Sequence, residues 1–92
     1  MVRFEWDERK RLVNIAKHGI DFKDVVTVFD EFTFTKLDDR FAYGEQRFLT
    51  FGPFLGEVLA ISHTENDVLI RIISARKAEK YEQEEYYKNI RD

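Results

Sequence analysis

Arginine side chains stand where folding alone explains them poorly. Arg47 and Arg71 each alternate with apolar residues in segments whose period of two predicts β-strands. Burying a guanidinium is costly unless a partner compensates its charge, and guanidinium groups match phosphate oxygens in bidentate fashion. Together with Arg76, these residues favour an anion site. The alternative is that each arginine pairs with a carboxylate, and Glu82 is the candidate partner.

Arg76 and Lys77 fall in the first turn of a predicted C-terminal helix. Cations there oppose the helix dipole by ~0.3–1 kcal/mol each. The same helix end offers free backbone N–H groups to an anion. This placement predicts a functional role for the two residues.

Lys10, Lys17 and His18 lie together on the polar side of a predicted N-terminal helix. The imidazole of His18 titrates near neutral pH and suits a general acid or base at a phosphodiester. Capping the last carbonyls of its own helix is the competing interpretation. His63 alternates with apolar residues on a predicted strand, which favours a structural role.

Three carboxylates are the only candidates for a metal site. Asp38, Asp39 and Glu45 suit a hard cation such as magnesium, but the turn-forming residues around them explain the acidic pair as well. The absence of cysteine excludes disulfides, thiolate zinc sites and thiol nucleophiles. We therefore expect no cofactor.

Caps and periodicity place these residues on predicted elements. Asp7 caps a first helix that Gly19 ends, with Leu12, Ile15 and Ala16 facing inward, and Asp21 caps a second helix. From residue 32 the period changes from helical to two. The predicted strands are Phe4-Glu5-Trp6, 32–37, 45–52, Glu57–Thr64 and Val68–Ser74, with a turn at Gly52-Pro53-Phe54-Leu55-Gly56.

Ser74 is the expected cap of a last helix from Ala75 to about Ile90, on which Glu82 falls within the apolar stripe. The element order predicts an α+β domain. In it, two N-terminal helices and a C-terminal helix pack on one face of a four-stranded antiparallel sheet, with a short N-terminal strand.

The 92 residues predict a single domain, 1–92, and no apolar run approaches the ~20 residues of a membrane helix. We expect a soluble, cytoplasmic protein. The net charge of −3 argues against general nucleic-acid binding. Basic residues are concentrated toward the two ends, so a polyanion site is expected only as a local patch.

In these features the chain resembles the BrnT family of ribonucleases from type II toxin–antitoxin systems. The most specific parts are the Lys17-His18-Gly19 turn and the run from Arg71 to Ala78. Further matching residues are Phe4-Glu5-Trp6-Asp7, Lys10, Asn14, Ile20, Phe22, Val28-Phe29, Asp39-Arg40, Tyr43-Gly44-Glu45-Gln46-Arg47, Gly52, Glu82 and Tyr86.

The resemblance implies a RelE-like fold, metal-independent RNA cleavage that stops translation, and neutralisation by a BrnA antitoxin. It further implies that the toxin reaches DNA only through that antitoxin, in a dimer or hetero-tetramer, without a membrane partner. The family often has a basic residue where this chain has Asn66, which would reduce its grip on RNA.

From the arginine set and the resemblance we expect acid–base cleavage of RNA. The expected catalytic residues are His18, Arg47, Arg71 and Arg76, and the expected RNA contacts are Lys10, Lys17, Glu45, Lys77 and Tyr86. Two alternatives stay open: a non-catalytic RNA- or protein-binding module with a basic patch, and a metal-dependent nuclease using Asp38, Asp39 and Glu45. Aromatic residues in excess of a small core (Phe41, Tyr43, Phe54, Tyr87) predict an exposed apolar surface for the antitoxin.

Overall fold

Five strands and three α-helices follow one another along residues 2–90, the part of the chain that the computed structural model describes. The strands are β1 (Arg3–Trp6), β2 (Phe34–Asp38), β3 (Arg47–Phe54), β4 (Glu57–Glu65) and β5 (Leu69–Lys77). The helices are α1 (Glu8–His18), α2 (Phe22–Val25), a 3₁₀ helix (Val26–Asp30) and α3 (Lys80–Ile90). Within residues 2–90, no helix has the length and apolar character needed to span a bilayer.

The strands form one mixed sheet in the order β1-β5-β4-β3-β2. Strands β2 to β5 are antiparallel neighbours, as the sequence predicts, but β1 lies parallel to β5 with Trp6 opposite Ile72. The prediction of a four-stranded antiparallel sheet is therefore wrong by one strand. A parallel pair of strands needs a long crossover connection, and between β1 and β5 this connection takes up nearly the whole chain. No local sequence pattern therefore predicts the pairing.

Both faces of the sheet are covered. Helices α1 and α2 and the 3₁₀ helix pack on one side, the α1 face, where Phe22 lies in a buried cluster with Ile61. Helix α3 packs on the other side, the α3 face, where Tyr86 lies with Phe51. The prediction that all helices gather on one face is wrong. The apolar run Val58–Ile61 shows why, because both sides of this central strand are buried.

The first helix begins and ends where its caps predict. The Asp7 carboxylate accepts a hydrogen bond from the Lys10 N–H, and Gly19 adopts a left-handed φ of 70°. Asp21 likewise caps α2, but regular α-helix ends at Val25 and the next turn is 3₁₀. The second helix is therefore shorter than its apolar periodicity suggests.

The predicted inward face of α1 is wrong. Leu12 is 56% exposed, whereas the polar Asn14 is buried. The Asn14 amide accepts from the Ala75 N–H at 3.1 Å and donates to the carbonyls of Ala75 and Ile20, both at 2.9 Å. These bonds complete the edge of β5 beyond Ile72, where β1 has ended. Helix α1 is thus joined to the sheet through a buried amide.

The last strand runs further than predicted, and the last helix starts later. Ala75 pairs with Ile61 within β5, so Ser74 caps no helix, and α3 begins only at Lys80. At that start the Glu82 carboxylate accepts from the Glu79 N–H at 2.8 Å, which is half of a capping box. Pairing with β4 overrides the helical preference of this segment.

The turn between β3 and β4 is also tighter than predicted. Gly52 and Pro53 belong to β3, and only Leu55 and Gly56 turn, both with positive φ (51° and 79°). Gly52 has a packing role, because a Cβ there would overlap the Val28 side chain on the 3₁₀ helix. Pro53 lies beyond Phe51, where β2 pairing has ended, so its missing N–H costs no ladder bond.

A chain of hydroxyl and imidazole groups crosses the α1 face. Thr35 and Thr50 lie 2.7 Å apart through their hydroxyls, and Thr50 Oγ1 lies 2.7 Å from His63 Nε2. The Nδ1 atom of His63 is 3.4 Å from a Glu65 oxygen but makes no hydrogen bond to the described residues. Burial lowers the pKa of His63 to about 4, so the ring is neutral at pH 7. The structural role predicted for this histidine agrees with its position.

We predict that stability falls as the pH drops from 6.5 to about 4. The unfolded chain protonates His63 near 6.5, whereas the folded chain does so only near 4. Folding stability from the neutral ring is complete above pH 6.5, and about 3 kcal/mol of it is lost across that window. Urea unfolding at pH 7.5, 6.0 and 5.0 measures this slope, and NMR titration of the ring checks its pKa.

The matched variant is His63→Gln, which removes the His63 ring and should reduce the pH dependence of stability between 7.5 and 5.0. The slope that remains belongs to His18, whose pKa is also lowered in the folded chain. Carboxylates titrate mostly below this range and contribute little to it. An unchanged slope in the variant would assign the effect to other groups.

Candidate active site

The three predicted arginines lie on one face of the sheet. Arg47 begins β3 on the side of Leu49, which lies in the buried cluster beneath α3. Arg71 and Arg76 both lie on β5, so Arg76 is a strand residue and not part of a helix start. The prediction that Arg76 and Lys77 occupy the first turn of a helix is wrong. The argument that these two cations oppose a helix dipole therefore does not apply.

A β-bulge brings Arg71 and Arg76 to the same face. Their positions in the chain differ by five, an odd number, and regular alternation would therefore place them on opposite sides. In β5, however, Ser74 pairs with Ser62 and Ile72 pairs with His63, which leaves Ile73 as the extra residue. The bulge reverses the alternation once, so both guanidinium groups lie on the α3 face.

Glu45 links two of the arginines. Its carboxylate accepts from Arg47 Nε at 3.1 Å and from an Arg71 terminal nitrogen at 2.8 Å. Hydrogen bonding by Arg47, followed by that of Arg71, lowers the pKa of Glu45. The predicted RNA-contact residue Glu45 therefore orients the two guanidinium groups and offsets part of their charge.

Arg76 forms the buried ion pair of the site. Its two terminal nitrogens donate to the two oxygens of Glu82 at 2.7 and 3.0 Å, and Glu82 is only 2% exposed. Burial alone would raise the pKa of Glu82, but hydrogen bonds from Arg76 and the Glu79 N–H lower it. The carboxylate partner proposed from sequence was the right residue, but it holds Arg76, while Arg71 pairs with Glu45.

A fourth arginine, which sequence reasoning did not assign to the site, lies close by. Arg40 donates through Nε and a terminal nitrogen to the buried carboxylate of Asp38 at 2.8 and 2.9 Å. The Tyr43 hydroxyl donates to the same carboxylate at 3.1 Å, and the Arg47 guanidinium lies 4.1 Å from the Tyr43 ring centre. The signal in the sequence that could have indicated this cluster is the short spacing between the acidic Asp38 and the aromatic Tyr43.

Helix α1 brings a second group of polar residues to the free edge of β5. Lys10, Lys17 and His18 line a cavity of about 280 Å³ with Ile73 and Ser74 of the bulge. Burial, then the charges of Lys17 and Arg76, lower the pKa of His18. His18 is thus a neutral base at pH 7, close enough to Arg76 to feel its charge. The hydrogen bond that closes the C-terminal end of α1 is donated by the Gly19 N–H to the Ile15 carbonyl.

Two further predicted RNA contacts, Tyr86 and Lys77, differ in exposure. Tyr86 is 3% exposed, and its hydroxyl donates to the Phe32 carbonyl at 2.8 Å, so it is a core residue of α3. Lys77 lies at the end of β5 and pairs with Glu57 at 3.3 Å. The burial of Tyr86 does not fit the contact with RNA that we expected from the sequence. The Lys77 side chain is 66% exposed, and its contact with RNA stays a prediction.

The carboxylates considered for magnesium are not assembled into a site. Asp38 is held by Arg40 and Tyr43, and Glu45 by two arginines. In the described range 2–90, no three His, Asp or Glu side chains lie together in a metal-binding arrangement. The geometry therefore does not support a metal site at Asp38, Asp39 and Glu45.

The exposed aromatic surface is only partly as predicted. Phe41 and Tyr87 are exposed, whereas Tyr43 is half-buried beside Arg47 and Phe54 packs against the core of the α1 face. Leu12 and Val13 of α1 are further exposed apolar residues, and Val13 lines the cavity beside His18.

We compared the chain with known protein families, curated proteins and solved structures. Residues 6–82 match the model of a family described as the ribonuclease toxin BrnT of type II toxin–antitoxin systems. A search of curated proteins found no match. Among solved structures, the chain is similar to the Brucella abortus ribonuclease toxin BrnT, determined at 1.1 Å resolution. The identity is 31% and the TM-score 0.64, over 87% of this chain and 100% of that one.

We predict that the arginines differ sharply in their contribution to stability. Arg76→Ala would leave the buried Glu82 carboxylate uncompensated and cost about 3–5 kcal/mol. Arg71→Ala should cost less than about 1 kcal/mol, because both it and Glu45 are over a third exposed in the ion pair. Urea unfolding of both variants at pH 7.5 measures the difference.

The double variant Arg76→Met with Glu82→Gln should recover much of the lost stability, since it removes both charges while Gln can still accept from the Glu79 N–H. Equal losses in Arg71→Ala and Arg76→Ala would contradict the assignment of Arg76–Glu82 as the buried pair.

Proposed function

The chain belongs to the BrnT family of ribonuclease toxins of type II toxin–antitoxin systems, and from this premise we propose that it cleaves RNA without a metal ion. Cleavage would inhibit translation in the cytoplasm. A BrnA-like antitoxin would neutralise the protein, in a dimer or hetero-tetramer that reaches DNA only through the antitoxin. The family implies an antitoxin partner, and the exposed Leu12 and Val13 offer apolar surface for one.

The observation that carries the proposal is the arginine group on the α3 face. Each guanidinium has five N–H donors, and the ion pairs with Glu45 use only one donor of Arg47 and one of Arg71. The remaining donors are free to bind phosphate oxygens without breaking those pairs. Strands β3 and β5 are rigid supports, so the donors are oriented before the substrate arrives.

In the proposed reaction the ribose 2′-oxygen attacks the adjacent phosphorus. The bond from phosphorus to the 5′-oxygen breaks, and a 2′,3′-cyclic phosphate forms. Arg47, Arg71 and Arg76 would stabilise the negative charge that develops on the phosphoryl oxygens.

His18 would accept the 2′-hydroxyl proton, and a protonated group or water would supply one to the leaving 5′-oxygen. The lowered pKa of His18 favours this role, because the ring is unprotonated at neutral pH. Lys17 and Lys10, on the same side of α1, would contact flanking phosphates.

We predict that the purified protein cleaves single-stranded RNA in EDTA and that Arg71→Ala lowers the rate about 10²-fold or more at nearly unchanged stability. His18→Gln should lower it and remove the rise of rate with pH near the pKa of the ring. Gel analysis of a labelled oligonucleotide gives the rate, and a 2′,3′-cyclic phosphate end identifies the reaction.

Lys23→Ala is the control variant, because Lys23 is an exposed cation of α2 on the opposite side of the sheet. It should cleave at the parent rate. No cleavage in EDTA, activity restored only by magnesium, or full activity in Arg71→Ala would each contradict the proposed mechanism.

A further inference from the structure

The connection between β2 and β3 presents an aromatic side chain to solvent. Phe41 is 68% exposed, and its ring meets the edge of Tyr43 with 5.8 Å between ring centres. An exposed phenyl ring contributes little to folding, because it gains little from burial. The ring is therefore accessible to a ligand.

The segment that carries Phe41 is held from both sides. Arg40 and Tyr43, its near neighbours in the chain, both donate to the buried carboxylate of Asp38. Hydrogen bonding by Arg40 lowers the pKa of Asp38, so the carboxylate is charged and keeps both bonds at neutral pH. The exposed Phe41 ring is thus carried by a segment that hydrogen bonds hold in place.

The same segment contacts the phosphate-binding candidates. The Arg47 guanidinium lies over the Tyr43 ring at 4.1 Å, and Arg47 also donates to Glu45. Glu45 in turn holds Arg71. One aromatic ring therefore separates Phe41 from the arginine group, and a nucleotide with its phosphate at Arg47 could place its base beside Phe41.

We propose that Phe41 is a nucleobase platform, which stacks on an unpaired base of the RNA whose phosphate lies against Arg47 and Arg71. The inference rests on the proposed ribonuclease function and names its substrate class, single-stranded RNA. Aromatic side chains beside basic grooves bind bases through their faces with little sequence preference. Duplex RNA is a poor ligand for such a platform, because its bases are stacked on each other.

A protein partner is a weaker explanation for Phe41. Docking anchors usually belong to a continuous apolar patch, whereas Phe41 follows Arg40 in the chain and contacts Tyr43, whose ring lies against Arg47. The exposed aliphatic residues Leu12 and Val13 lie on α1. Aromatic and guanidinium groups side by side fit a nucleotide better.

The test is binding of uncleavable ligands, which separates recognition from catalysis. Fluorescence anisotropy compares a 2′-O-methyl oligo(A) hexamer with a hexamer of the same charge whose nucleotides are all abasic. We expect the parent protein to bind oligo(A) about tenfold or more tightly than the abasic chain. Phe41→Leu should lose that preference, and Phe41→Trp should keep it.

Two further variants control the experiment. Tyr87→Leu removes a comparably exposed aromatic residue from α3 and should bind like the parent. Arg71→Ala should weaken binding of both ligands, because it acts through phosphate. Thermal unfolding of each variant verifies that exposed positions have been changed without loss of fold.

Equal affinity for oligo(A) and the abasic chain, or parent-like affinity in Phe41→Leu, would overturn the platform. Loss of antitoxin binding in Phe41→Leu with unchanged oligo(A) binding would overturn it too and would place Phe41 in a protein contact. A base preference in a protein that never cleaves RNA would support the platform and refute the ribonuclease proposal. Cleavage without base preference would do the reverse.

Discussion

The buried ion pair of Arg76 and Glu82 joins the last strand to the last helix, and much of the molecule depends on it. Glu82 receives two hydrogen bonds from Arg76 and a third from the Glu79 backbone, so one carboxylate both starts α3 and attaches it to the sheet. A charge this deeply buried is tolerated only when it is paired and hydrogen-bonded. Tyr86, one turn further along α3, then closes the core beneath it.

The candidate site is built from the same kind of interaction. Arg47 and Arg71 share Glu45, and Arg40 is bound to Asp38, so every arginine of the cluster is oriented by a carboxylate. Pairing lowers the positive charge that the sheet must accommodate, and it leaves unused N–H donors pointing outward. An acidic protein can in this way hold a local anion site, although its net charge is −3. The fold and the proposed chemistry use the same guanidinium groups, and Arg76 is the one that the fold cannot spare.

The two faces of the sheet differ in chemistry. On the α1 face a chain of neutral polar groups runs from the exposed Thr35 hydroxyl through the buried Thr50 hydroxyl to the buried, uncharged His63. On the α3 face the buried carboxylates of Asp38 and Glu82 are charged and paired with arginines. Helix α1 connects the faces at the free edge of β5, where Asn14 replaces the missing strand and His18 lies within reach of the charge of Arg76.

Local patterns in the sequence determined much of this protein. The helix ends depend on local requirements. A helix start needs a side chain that accepts a backbone hydrogen bond, which Asp7 and Asp21 supply, and the end of α1 needs the left-handed φ that Gly19 adopts. The period of two found the antiparallel strands, and the chemistry of guanidinium on apolar strands singled out Arg47 and Arg71. Non-local contacts decided the rest. Pairing with β4 kept Ala75 to Lys77 in a strand, β1 joined the sheet through a distant crossover, and the bulge at Ile73 set Arg71 and Arg76 on one face. A register shift depends on two strands together, so only the tertiary structure could show that these two arginines share a face.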